Sequence, residues 1–182
     1  MIQYLIPCIA RADWRPMLGV ATCGGIVAGL YGVLHDQVTY AISPEYFTKL
    51  KFQQFAYADF GLGDRVLVAV IGFLATWWVG FLAAWFLARR YLPNQPRATA
   101  YRQIRRGFLC VFGAALICGA GGFAYGLWRG PAADYSSWDF AFARFEIIDR
   151  WAFVRVAYIH NTGYLGGLLG LIVALVTMRR NT

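Results

Sequence analysis

The chain of 182 residues is 59% hydrophobic and only 14% charged, with a mean hydropathy of +0.49, whereas soluble domains carry about 25% charged residues. That imbalance excludes an ordinary soluble domain and places the chain among membrane proteins. A net charge of +8 invites a nucleic-acid partner, but the cations flank apolar stretches, as topology signals do, and nucleic acid is excluded.

Residues 2–10 do not read as a cleaved signal. They lack a basic leading region, and Pro7 and Arg11 break the apolar run. The string LIPC is not a lipoprotein box, because Pro7 stands where a small residue belongs. A short interfacial segment is expected there. Four windows then follow, at residues 17–34, 66–88, 107–127 and 156–178. Each is about 18–23 residues long, and a helix needs roughly 20 to cross a bilayer core. Barrel strands are shorter and alternate in polarity, so helices are expected. The predicted fold is all-α: a compact four-transmembrane-helix bundle forming one membrane domain over residues 1–182. Its outer loops are residues 35–65 and 128–155, rich in Tyr, Trp and Phe that suit the headgroup layer.

The flanking charges orient it. With the N-terminus cytoplasmic, ten cations face one acid, Asp13, on the inner side, and seven cations face eight acids on the outer side. The positive-inside rule therefore puts both termini in the cytoplasm. The cysteines, Cys8, Cys23, Cys110 and Cys118, form no CxxC pair and avoid the outer loops, so they read as small packing residues.

Small residues recur at close-packing spacing: Gly25 with Gly29, Gly80 with Ala84, Gly122 with Gly126, and Gly163 with Gly167 overlapping Gly166 with Gly170. Such stripes let helix backbones touch in lipid. One glycine face, Gly163, Gly167 and Gly170, is expected to serve close contact, with a homo-oligomer or another membrane protein as partner beside the lipid itself. CGGIVAGLYGVL in the first span echoes CGAGGFAYGLW in the third. Duplication of a hairpin and shared low-complexity composition explain the echo equally well.

The two histidines of the chain share one depth. His35 and His160 each lie 18 residues from a basic inner anchor, about 27 Å of helix. Both are expected at the outer boundary, facing one polar pocket with Asp36 or Glu45 in reach. Ser43 and Pro44 read as the N-cap and first position of a short helix in the headgroup layer, with Glu45 in its first turn. On the last helix, Glu146, Asp149, Phe153, His160 and Tyr164 fall within a sector of about 60°. Glu146 with Arg150 is an expected ion pair, and Trp151 with Arg155 an expected cation–π pair.

The candidate metal ligands are His35, His160 and Glu45. The candidate ligand-binding residues are Asp36, Glu45, Tyr46 and Asn161. Two histidines with carboxylates suit zinc, iron or copper, and two histidines alone suit bis-imidazole haem. Ordinary hydrogen bonding and a proton or substrate site remain open beside these. No catalytic residue is assigned, since no triad order, phosphate loop or dinucleotide fingerprint is present. The expected function is binding or transport of a metal or small polar ligand at the outer leaflet. The alternative is an accessory subunit that docks another membrane protein through its glycine faces, and a membrane enzyme ranks third.

HDQVTYAISPEYFTKLKFQQF, residues 35–55, with AYIHNTGYLGGL, residues 157–168, resembles an uncharacterised family of small bacterial four-helix integral membrane proteins. The resemblance implies a bacterial inner membrane and an outer-leaflet feature, and it implies no activity.

Overall fold

The computed structural model describes residues 9–93 and 95–177. The expected interfacial segment at residues 2–10 falls mostly outside them, as do Cys8, Met178, Arg179 and Arg180. Among the described residues, beside two single 3-10 turns, are six helices: α1 Arg11–Ile42, α2 at residues 44–54, α3 Asp64–Tyr91, α4 Arg97–Arg129, α5 Asp139–Phe145 and α6 Arg150–Thr177. Among the described residues there are no strands. Helices α1, α3, α4 and α6 are long and apolar enough to cross a membrane.

Local chemistry sets the helix ends. Pro16 lies inside α1 and supplies no N–H to the Ala12 carbonyl. Arg97 donates to that oxygen instead, at 3.2 Å, while its guanidinium pairs with Asp13 at 2.9 Å. Helix α3 follows Gly63, whose φ of 90° suits only glycine comfortably. It ends with Arg89 and Arg90 in the last turn, where cations complement the helix dipole. Asp149 caps α6, its Oδ1 accepting the Ala152 amide at 2.9 Å.

The long helices associate as two tight pairs, α1 with α3 and α4 with α6, joined more sparsely between the pairs. Glycines permit the tightness. A Cβ on Gly32 would lie 2.0 Å from the Gly72 carbonyl oxygen, and one on Gly80 would lie 2.5 Å from that of Gly24. In the second pair, a Cβ on Gly122 would lie 2.6 Å from the Tyr158 oxygen, and one on Gly166 would lie 2.5 Å from that of Ala114. The expected contact face on α6 needs correction. Gly166 and Gly170 make the close approach, whereas a Cβ on Gly163 or Gly167 would still stand 3.8 Å from its nearest neighbour on α4. The Gly163 face lines a cavity instead.

Buried apolar side chains gather at the two ends of the bundle. One cluster, at the end that holds the α3–α4 connection, joins Met17, Leu87, Tyr91, Ile104 and Ala174. The other, at the opposite end, joins Tyr46, Phe47, Val68, Phe142 and Phe153. The α1–α3 and α4–α6 connections thus form a packed cap, with Tyr46 and Phe47 buried in it. On α1, Leu18, Ile26, Leu30, Leu34 and Val38 are exposed. Their stripe runs about 30 Å along the helix, the thickness of a hydrocarbon core.

Candidate metal centre

His35 does not end its helix. Helix α1 continues almost two turns to Ile42, where the Ser43 amide closes on the Thr39 carbonyl at 3.0 Å. The expected boundary position is therefore corrected inward, because the apolar stripe extends to Val38. Consecutive residues on α1 turn both His35 and Asp36 toward α6, and Asp36 is only 3% exposed. His160 meets them from the middle of α6, with its ring centre 5.0 Å from that of His35 and near perpendicular to it.

His160 Nε2 lies 3.8 Å from Asp36 Oδ1. It is buried and has no hydrogen-bond partner. The Tyr31 hydroxyl is 3.1 Å from His35 Nδ1, which leaves His35 Nε2 to ligate. His35, Asp36 and His160 each offer a ligand atom within 4.8 Å of the other two. Metal–ligand bonds of about 2.0–2.2 Å place ligand atoms roughly 3–4 Å apart. Capture of an ion therefore needs the widest pair of ligand atoms to close by about 1 Å or more.

A lid covers this cluster. The Ser43 hydroxyl accepts the Tyr46 amide at 3.4 Å, so α2 starts at the expected cap. Its middle, Tyr46–Lys51, is π-wound. The wider turn lets neighbouring residues Tyr46 and Phe47 both face inward. The Tyr46 ring stacks on His160, with centres 5.1 Å apart and planes at 23°, and Phe47 approaches it edge-on at 6.3 Å. Burial, and then the Asp36 carboxylate, push the Tyr46 phenol up from its ordinary value. Lys51 is also drawn in. Burial lowers its ammonium, and the Asp36 carboxylate works against that shift.

Beneath the cluster lies a cavity of about 100 Å³ bounded by all four long helices. His35, Asp36 and His160 form its polar end. Val79, Ala83, Phe108 and Phe112 are among its apolar walls.

Two expected site residues are placed elsewhere. Glu45 is not part of the cluster. Its carboxylate accepts the Asp149 amide at 2.8 Å and the Ile148 amide at 3.0 Å, and pairs with Lys49 at 3.3 Å. These bonds tie α2 to the start of α6 and use the carboxylate's accepting capacity. Asn161 is exposed and does not line the cavity, since one residue beyond His160 the helix has turned by about 100°. Further along, Arg150 approaches Asp139 at 3.9 Å rather than Glu146. Arg155 does sit over Trp151, at 4.0 Å.

Partial burial works to raise the Glu45 carboxyl, but the Asp149 amide, Lys49 and the Ile148 amide outweigh it and hold it below its ordinary 4.5. A depressed folded-state value means that the tie contributes fully above about pH 4.5 and is lost as pH falls through the folded value. Glu45→Gln should therefore melt below wild type at pH 7, with the gap narrowing below pH 4.5. Thermal unfolding in detergent at several pH values measures this, and a gap independent of pH would refute it.

Sequence spacing missed two contributors. Tyr31 stands four residues before His35, one turn away, a signal that was present. Tyr164, already grouped with His160 on one helix sector, lines the cavity with it. Lys51 gave no signal, because the π-wound turn shifts which face it occupies. No family model, no curated protein and no solved structure matches the chain.

Proposed function

We propose that this protein is a bacterial inner-membrane protein that binds one transition-metal ion between His35, Asp36 and His160. The observation that carries the reading is the orphaned His160 Nε2, buried beside a buried carboxylate and a second imidazole. A buried polar atom without a partner is costly, and an ion answers the need of all three groups at once. Two imidazoles and one carboxylate suit zinc or ferrous iron, with coordination positions left open toward the cavity. Glu45 is not among the proposed ligands. The test is the metal content of protein purified in mild detergent: about one zinc or iron per chain is expected. Protein that stays metal-free after incubation with either ion would end the proposal.

The proposed site faces the outer leaflet and both termini the cytoplasm, a reading supported by the ten cations and single acid that the sequence puts at the opposite ends of the spans. Reporter fusions after Arg180 and within residues 134–138 should give opposite signals. The same signal from both would invert or break the topology.

A second reading, an accessory subunit, draws on α4. A Cβ added at Gly113 or Gly121 would meet nothing within 4 Å, and Leu109 and Ile117 beside them are exposed. That face admits a close helix contact, and it is compatible with a metal site elsewhere in the same chain.

A further inference from the structure

An ion at the cluster closes one end of the cavity and leaves the rest unexplained. From the level of His160 to that of Gly167, both of which line it, the cavity runs about 10 Å along α6 toward the bilayer middle. Its walls are apolar, among them Gly80 and Ala83 on α3, Phe108 and Phe112 on α4, and Ile159 on α6. Gly163 and Gly167 widen it by lacking side chains, since a Cβ at either would meet only ordinary contacts. The cavity lies where the two tight helix pairs meet sparsely, and it is not enclosed. At that depth an opening faces acyl chains, not water.

Charge specifies the other end of an occupant. A divalent ion on two neutral imidazoles and the Asp36 carboxylate leaves one positive charge uncompensated. Lys51, whose ammonium lies 5.7 Å from the centre of the Tyr46 ring that stacks on His160, supplies another. Uncompensated charge in a dry site is costly and draws an anion. Volume limits the remainder. A cavity of roughly 150 Å³ takes a benzene, so about 100 Å³ accepts a short run of methylenes and no second chain.

We propose that the metal-loaded site binds the carboxylate head of a free fatty acid. Its first methylenes fill the cavity, and the rest of its chain passes between the helix pairs into the bilayer. This proposal rests on the metal reading above. The head reaches the open coordination positions, and Tyr164, whose hydroxyl donates to the Ala75 carbonyl at 3.4 Å, lines the same cavity. The chain then lies as lipid chains lie, so the ligand enters sideways from the membrane.

The experiment is titration of zinc-loaded full-length protein, in non-ionic detergent, with laurate and with dodecanol. Laurate should bind at least tenfold more tightly than dodecanol, and at least tenfold more tightly to loaded than to metal-free protein. Gly167→Leu, which fills the cavity away from the ligands, should keep zinc and lose laurate. Zinc retention is also its check of folding, and Gly163→Ala offers a milder version with a partial loss. Equal affinity for laurate and dodecanol would overturn the anion, and undiminished laurate binding by Gly167→Leu would overturn the cavity. Zinc bound without laurate defeats this proposal alone, whereas no zinc at all defeats the metal reading beneath it.

Discussion

His160→Phe should abolish metal binding while leaving the bundle folded. Phenylalanine fills the space under Tyr46 and Phe47 and can stack as the imidazole does, but it offers no lone pair. Loss of a group that only hydrogen-bonds to a ligand costs a metal site about 10–100-fold in affinity, so loss of a ligand itself should cost more than the upper end of that range. The readout is twofold. Zinc per chain should fall from about one to near zero. Wild-type protein should also gain thermal stability from added zinc, about 2.7 kcal/mol at a hundred times the dissociation constant, and the variant should gain none. Asp36→Asn should behave similarly, since it removes the only carboxylate of the cluster. A zinc-dependent stabilisation that survives His160→Phe would show that the ion sits elsewhere.

Gly32→Leu should destroy the fold rather than the site. A Cβ there meets the Gly72 carbonyl oxygen at 2.0 Å and the Thr76 hydroxyl at 2.2 Å. One obstacle is backbone and the other is held by hydrogen bonds to the Ala28 and Gly72 carbonyls, each 2.8 Å long, so neither can yield by rotating away. Helices α1 and α3 must separate, and the loss should exceed the ~1–3 kcal/mol of ordinary overpacking. Gly19→Leu is the control, because nothing lies within 4 Å of its added Cβ. Size-exclusion profiles and melting curves in detergent should show aggregation or early unfolding for the first variant and near-wild-type behaviour for the second. Similar profiles for both would contradict the close approach of α1 and α3.

Helix class and number were legible because long apolar runs admit one solution in lipid: every backbone group bonded within its own helix. Helix ends were less legible. Residues 35–42 look like loop by polarity, yet they extend α1, because His35, Asp36 and Thr39 point into protein while Leu34 and Val38 point out. The pairing of His35 with His160 followed from equal depth, a one-dimensional count that survives changes in rotation. Glu45 defeated the same logic. Depth says nothing about which neighbours a carboxylate finds, and the unpaired amides at the start of α6 claimed it first. The lid was hidden for a different reason. A π-wound turn breaks the 3.6-residue period on which helix faces are read.

The proposed ligand set is divided between the halves of the chain: His35 and Asp36 belong to the first helix pair, His160 to the second. During synthesis the first hairpin enters the bilayer before α6 has been made, so the site is complete only at the last step of assembly. A bound ion would then act as a clasp across the weakest seam of the bundle, since metal affinity gained only in the docked form is docking free energy. The firmness of the closed molecule would follow the supply of metal at the membrane surface, and starved cells would hold the same chain as two hairpins in looser company.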